Sequence, residues 1–294
     1  MSVSLPSLGS PIISDATFND FRALIREKTG IHMRDGKQIL VSNRLRRRLA
    51  ALHLSSFEEY YRLLVSGAAG DEELHNFIDA VSTNETYFFR EMNHFTVLRK
   101  IVLPEILQRS SRIRIWSAGC STGEEVYTLR IVVDETLSEA GRDGAEVSIV
   151  GTDISTAAIA KAQKGLYNDR ALRLVPSATL ERFFFPSGDA VRQIRDEVRS
   201  RVDFRVHNLF KDPPPGRPFD IIFCRNVMIY FNKETQAVLV DGVFAGALDP
   251  QGYLFIGHTE SLSGFSRTFR YAAMLKAPVY RMIGQALGRQ EGKS

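Results

Sequence analysis

Residues Arg112 to Leu129 read RIRIWSAGCSTGEEVYTL. Ile113, Ile115 and Trp116 have the β-branched and aromatic character of a buried strand. Gly119 and Gly123 permit a tight turn, and Ser121 or Thr122 is suited to cap the helix that follows. A ligand bound here would lie where strand becomes helix. A phosphate-binding loop leaves that helix start open to an anion, because its unpaired N–H groups and dipole attract negative charge. Glu124 and Glu125 set acids there instead, which favours a cofactor carrying positive charge or amino and hydroxyl donors, such as S-adenosyl-L-methionine, over a pyrophosphate. With neither a GKS/GKT P-loop nor a full GxGxxG present, nucleotide hydrolysis and dinucleotide redox chemistry lose ground. Taken alone, a glycine turn between core elements is the competing interpretation.

The flanking segments strengthen the cofactor reading. Glu146 to Asp153 reads as a second buried strand ending in an acid roughly 30 residues after the glycine turn, where doubly wound folds place a carboxylate for ribose hydroxyls. Asp153 can equally cap a helix near Ser155, itself a good cap. Val202 to Val206 alternates like a strand and leads into His207-Asn208-Leu209-Phe210. Phe219 to Cys224 is a continuous apolar strand entering Arg225-Asn226-Val227, and Gly252–Gly257 and Pro278–Met282 add two more. Strands at this spacing with helices between them predict an α/β fold with an open, mainly parallel sheet and ligands at the strands' carboxyl ends.

The 294 residues, 44% hydrophobic, suffice for one large and one small domain, and contain no apolar run long enough to cross a membrane. The amino terminus lacks a signal-peptide pattern and two cysteines cannot form a disulfide scaffold, so a cytoplasmic protein is expected. Cys120 and Cys224 read as small packing residues near the cofactor edge. The six histidines show no metal-ligand spacing, so no metal is expected.

The first 80 or so residues carry helical periodicity without strand signals. Phe18, Phe21, Leu24 and Ile25 form one stripe, Leu45, Leu49 and Leu52 another, and Phe57, Tyr60, Leu63 and Leu64 a third, with Gly67 to Gly70 expected as a loop. Arg34, Lys37, Arg44, Arg46, Arg47 and Arg48 stand against one acid, Asp35. Arg44, Arg47 and Arg48, at i, i+3 and i+4, would share a helical face suited to an acidic protein surface, to a nucleic-acid backbone, or to solvent alone. A net charge of +4 is too modest to indicate nucleic acid, and no aromatics interleave with the arginines.

Val81-Ser82-Thr83-Asn84-Glu85-Thr86-Tyr87-Phe88-Phe89-Arg90-Glu91, then WSAGCSTGEEVYTL, GTDIS, HNLF, FCRNVMIYF and GYLFIGHTESL, resemble in order the motifs of the chemotaxis receptor glutamate O-methyltransferase (CheR-type) family. The resemblance runs from about Phe18 to Met282. It implies a Rossmann-like class I methyltransferase sheet, a small N-terminal all-helical domain and a small β-subdomain insertion. The expected boundaries are 1–80 for a receptor-docking helical domain, 81–110 for a linker contributing to the cofactor site, and 111–294 for the S-adenosylmethionine-binding domain, with the β-subdomain at about 168–201. The implied reaction methylates glutamate side chains on the cytoplasmic helical bundle of chemoreceptors, with S-adenosyl-L-methionine as donor and S-adenosyl-L-homocysteine as product.

Position by position, the resemblance implies that Asn84, Thr86 and Arg90 lie over the cofactor and that Glu125, with the Gly119 turn, lies near its amino-acid portion. Asp153 would hold the ribose, Asn208 and Leu209 would flank the adenine, and Asn226 and Val227 would line the pocket. Arg90 and Tyr230 are the implied catalytic pair, while Arg44, Arg47 and Arg48 would dock the receptor. Leu209 and Val227 equally suit core packing, and Arg90 could pair with Glu91 or another acid. Some members carry a glycine-rich loop in the insertion that binds a peptide tether at the receptor carboxyl terminus. Here Pro186-Ser187-Gly188-Asp189-Ala190 is short, and a tether-independent enzyme is expected.

Two rivals stand beside this reading. A nucleic-acid methyltransferase would share the sheet, and Asp212-Pro213-Pro214 resembles the D-P-P-aromatic motif. That triplet precedes the fourth strand rather than following it, and Pro215 stands where an aromatic is required. A non-catalytic cofactor-binding signalling module is the second rival, set against the presence of Arg90, Glu125, Asp153, Asn226 and Tyr230. No direct membrane insertion is expected.

Overall fold

The computed structural model describes residues 12–216 and 218–283. The chain separates into two compact units, Met1–Thr83 and Asn84–Ser294.

The first unit is helical: α1 (Asp15–Thr29), α2 (Gln38–Ala51), α3 (Phe57–Leu64) and α4 (Ala68–Val81). Side-chain caps from Ser14 and Ser56 start α1 and α3. The apolar stripes meet in a core where Phe21 stacks on Phe77 at 5.4 Å beside Tyr60. The expected loop at Gly67–Gly70 is corrected, since α4 begins at Ala68 and Gly70 lies inside it. A Cβ on Gly70 would come within 2.5 Å of the Leu63 and Leu64 carbonyl oxygens, so only glycine lets α4 approach the end of α3.

The second unit opens with an irregular segment, then α5 (Asn93–Val97), a π-helical stretch (Leu98–Val102) and α6 (Leu103–Arg109). There follow β1 (Arg112–Ala118), α7 (Glu124–Glu139), β2 (Glu146–Asp153) and α8 (Thr156–Lys164). An insertion comprises β3 (Leu166–Asn168), α9 (Asp169–Leu172), α10 (Ser177–Phe183), β4 (Phe184–Pro186), β5 (Val191–Ile194) and α11 (Asp196–Arg199). Next come β6 (Asp203–Val206), β7 (Phe219–Cys224), a 3-10 turn (Met228–Tyr230), α12 (Lys233–Ala237), a second π-helical stretch (Val238–Phe244) and α13 (Ala245–Ala247). The unit ends with β8 (Leu248–Ile256), β9 (Phe269–Tyr271) and β10 (Val279–Met282).

Seven strands form one sheet in the order β6-β2-β1-β7-β8-β10-β9, parallel except where β10 runs antiparallel to β8 and β9. The chain reverses direction between β1, which leads outward to β2, and β7 on its other side. That switch point opens a crevice at the carboxyl ends of the strands. One apolar layer, with Phe95, Ile115, Val126, Leu129 and Phe223, lies against one face of the sheet, and a second, with Trp116, Ile222, Phe244 and Leu254, against the other. The insertion is a separate three-stranded antiparallel sheet, β3-β5-β4, in which Ser187 to Ala190 make only a tight turn between β4 and β5.

Candidate functional site

The turn after β1 is built by left-handed backbone at Gly119, Ser121 and Gly123. The Gly119 and Cys120 N–H groups donate to the Thr152 carbonyl at 2.7 and 2.9 Å, holding the turn against the end of β2. The expected Ser121 or Thr122 cap is corrected: Gly123 occupies the N-cap position of α7 and contributes no side chain. The positive φ of Ser121 commits its hydroxyl elsewhere, to the Asn84 carbonyl at 3.0 Å, while the Thr122 hydroxyl donates to the Glu124 carboxylate at 2.7 Å.

Asp153 ends β2 and is 8% exposed. Its two carboxylate oxygens accept the Ser121 N–H at 2.8 Å and the Ser155 N–H at 2.9 Å, and Ser155 itself caps α8. The His207 N–H donates to the Asp153 carbonyl at 2.8 Å, which sets Asn208 and Leu209 beside it. Leu209 packs with Trp116 and Val150 in the apolar layer. Asn84 reaches Ser155 through its amide at 3.3 Å.

The segment that follows Asn84 is tied to α9, to α7 and to the residue after β7. Phe88 N–H donates to Ala171, Phe89 N–H to the Thr128 hydroxyl, and the Arg90 carbonyl accepts from Arg225. Thr86 lies within this segment. The Arg90 guanidinium donates to the Glu85 carbonyl at 3.0 Å and does not pair with Glu91.

Arg225, a residue assigned no role in the sequence, is the electrostatic centre. Its side chain is 2% exposed and donates to Glu125 at 3.0 Å and to Glu91 at 3.1 Å. Ser117 donates to the other Glu125 oxygen at 2.7 Å. Burial pushes the Glu125 carboxyl up from its ordinary value, against Arg225 and Ser117, which pull it down. Burial would also raise Glu91, but Arg225 and His258 hold it down at about 2. The sequence signal for Arg225 was a charge directly after a six-residue apolar strand.

Asn226 adopts φ 59° and donates through its amide to Glu91 at 3.4 Å. Glu260, also missed in the sequence, accepts the backbone N–H groups of Gly257 at 2.6 Å, Asn226 at 3.0 Å and Ile229 at 3.2 Å. It thereby fixes the turn that leads to Tyr230. Val227 faces Gly119 so closely that a Cβ there would lie 2.3 Å from its Cγ2. Asn84, Gly119, Glu125, Asp153, Asn208, Leu209, Asn226 and Val227 are thus brought together around the β1–β2–β7 crevice, with the Thr86–Arg90 segment and the Tyr230 turn at its margin.

Glu91, His94 and His258 place ligand-type atoms within 4.8 Å of one another, a grouping hidden by their sequence separation. Arg225 already shares the Glu91 carboxylate, and both His94 ring nitrogens lie on carbonyl oxygens, of Glu91 at 3.2 Å and Ile256 at 2.8 Å. A metal would have to displace each of these bonds, so the grouping is a hydrogen-bonded network rather than an open ligand set.

In the helical unit, Arg44, Arg47 and Arg48 do not form one free cationic face. Arg44 donates to the Val81 and Ser82 carbonyls and the Thr83 hydroxyl, satisfying the end of α4. Arg48 makes a two-pronged pair with Glu73, which also accepts from Tyr60 and Asn76. Arg47 is exposed.

A crevice bordered by a buried acid, a glycine turn with no room for a side chain, and two carboxylates sharing Arg225 has the chemistry to take an adenosyl cofactor with a cationic tail. Comparison with known proteins points the same way. Residues 84–277 match the family model described as CheR methyltransferase, SAM binding domain, and residues 16–82 the model described as CheR methyltransferase, all-alpha domain. A chemotaxis protein methyltransferase of Vibrio anguillarum is 36% identical over 271 residues, covering 92% of this chain and 98% of that one. Those of Escherichia coli K12 and Salmonella typhimurium are 39% and 38% identical, covering 87% and 92% of this chain and 88% and 95% of theirs. No helix among the described residues is long and apolar enough to cross a membrane. The chain is an S-adenosylmethionine-binding member of the CheR methyltransferase family.

Proposed function

We propose that this protein methylates glutamate side chains on the cytoplasmic helices of chemoreceptors, forming methyl esters. The observation that carries the reading is the buried Glu125–Arg225–Glu91 chain beside Asp153 and the β1 turn, in a chain of this family. When bound, S-adenosylmethionine supplies a methyl group already activated on a sulfonium. Asp153 would hold its ribose, Asn208 and Leu209 its adenine, and Glu125 its amino-acid end, with Asn84, Thr86, Asn226 and Val227 closing the pocket.

An acceptor glutamate with an ordinary pKa of about 4.3 is ionised at neutral pH, so no general base is required. The protein's work is alignment of carboxylate oxygen with methyl carbon, and exclusion of water that would otherwise solvate the nucleophile. Arg90 organises the closed pocket and Tyr230 positions the reacting groups. Kinetics of Arg90→Ala and Tyr230→Phe test this division, and unchanged values in both would sink it.

Receptor approach is assigned to the helical unit through Arg47, with Arg44 and Arg48 supporting the α2–α4 surface rather than offering free charge. The short Ser187–Ala190 turn supports a tether-independent enzyme, to be checked with receptors lacking their carboxyl-terminal residues. The primary experiment is incubation with radiolabelled S-adenosylmethionine and receptor-bearing membranes from the same organism. Label on receptors released by mild base establishes carboxyl methylation, because esters hydrolyse where N-methyl groups do not. Base-stable label or none would overturn the reading.

A further inference from the structure

We propose that Arg170 and Arg173 of the insertion form, with Arg90, a cationic rim that takes the acidic side chains flanking the acceptor glutamate on its helix. The inference rests on the methyl-transfer reading above and names the part of the second unit that selects the acceptor's surroundings.

The rim follows from how α9 is tied to the Asn84–Glu91 segment. The Phe88 N–H donates to the Ala171 carbonyl at 3.0 Å, so α9 is hydrogen-bonded to the strip of chain that carries Arg90. Tyr87, on that strip, has two guanidinium groups over its ring: Arg173 at 3.4 Å from the centroid and Arg90 at 5.8 Å. Arg173 is held further by a bond from its guanidinium to the Arg170 carbonyl at 2.6 Å. A guanidinium stacked by its face keeps its planar N–H edge for a carboxylate, and stacking restricts its rotamers before any partner arrives. Arg173 is therefore preorganised although its residue is exposed.

Arg170 pairs with Glu85 at 2.7 Å, with both side chains largely exposed, at 76% and 65%. Such a pair is weak and open to exchange, so an incoming carboxylate can replace Glu85. Arg90 and Arg173 thus lie over Tyr87, and Arg170, joined to Arg173 through its carbonyl, has the exposed Glu85 as its carboxylate partner. The excess of positive charge complements a substrate whose reacting group is a carboxylate, and a planar fork suits carboxylates better than a point charge does. Of this basic rim the sequence singled out Arg90 alone, because Arg170 and Arg173 stand more than seventy residues away from Glu85, Tyr87 and Arg90.

The test is steady-state methylation of a purified cytoplasmic fragment of a receptor from the same organism, at low and high ionic strength, with cofactor Kd measured alongside. Arg173→Glu is expected to raise KM for the fragment about fivefold at low ionic strength, on the scale of one exposed charge contact, with kcat and cofactor Kd little changed. The effect should shrink in high salt. Arg173→Lys should recover part of it, and a fragment whose flanking acids are replaced by lysine should be favoured by Arg173→Glu. An unchanged KM at low ionic strength overturns the rim. So does a rise in cofactor Kd matching the rise in KM, which would mean that Arg173 only props Tyr87 and Arg90. If the unaltered enzyme methylates no carboxylate of the fragment, the reading of the reaction fails instead, which the variants do not decide.

Discussion

Arg225 and Glu125, a hundred residues apart in the chain, meet at 3.0 Å with almost no exposure of the arginine, and the same guanidinium reaches Glu91. One cation thus joins the end of β7, the first turn of α7 and the segment that crosses the crevice.

Arg225→Met should destabilise the protein by about 3 kcal/mol, because two part-buried carboxylates lose the counter-charge they share. Urea unfolding measures the loss. Adding Glu125→Gln to that variant should recover part of the stability but none of the cofactor affinity, which titration calorimetry would show.

Glu260→Gln keeps the side-chain shape but puts an NH2 among backbone donors that need an acceptor. A cost of about 1.5–3 kcal/mol is expected, with kcat falling more than cofactor affinity, because the disturbed turn carries Asn226 and Tyr230. Equal losses in kcat and in affinity would argue against a role confined to that turn.

Gly119→Ala should weaken cofactor binding and stability together. The residue sits at φ 86° with Val227 Cγ2 2.3 Å from where its Cβ would be, and the backbone strain alone is worth about 1–3 kcal/mol. Val227→Ala in the same chain should relieve the clash but leave the backbone strain, giving a partial rescue of the cofactor Kd.

Stability should fall on acidification well above the usual carboxylate range. Burial, assisted by Arg225, lowers His94 from 6.5 to about 3. Between those values the unfolded chain takes up a proton that the native chain refuses, so stability drops as pH falls through that window. Glu91, held at about 2 against an ordinary 4.5, adds to the loss below pH 4.5, where the unfolded carboxyl protonates first. His94→Gln should flatten the change in urea midpoint between about pH 6.5 and 5. An equally steep change in that variant would place the acid sensitivity elsewhere.

Short-range chemistry made much of the site readable. The apolar run into Gly119, the acid at the end of β2 and the Asn226-Val227 pair after β7 each combine a periodicity with a residue type suited to a strand's carboxyl end. Helical spacing showed that Arg44, Arg47 and Arg48 lie near one another on α2, but not that a neighbouring helix offers Glu73 to Arg48 and its open carbonyls to Arg44. Gly70 misled for a related reason, since a glycine that admits a neighbouring backbone looks locally like one that makes a loop.

By itself, the sequence determined the α/β class, the helical first unit, the strands bordering the crevice and the family, because these follow from local periodicity and ordered motifs. Only the tertiary structure decided that Arg225 is the shared counter-ion of Glu125 and Glu91, that Glu260 holds the Asn226 turn, and that Arg173 stacks on Tyr87. Those pairings depend on which strand ends and loops the sheet order brings within a few ångströms, and a long-range Coulombic or hydrogen-bonded contact leaves no periodic trace along the chain.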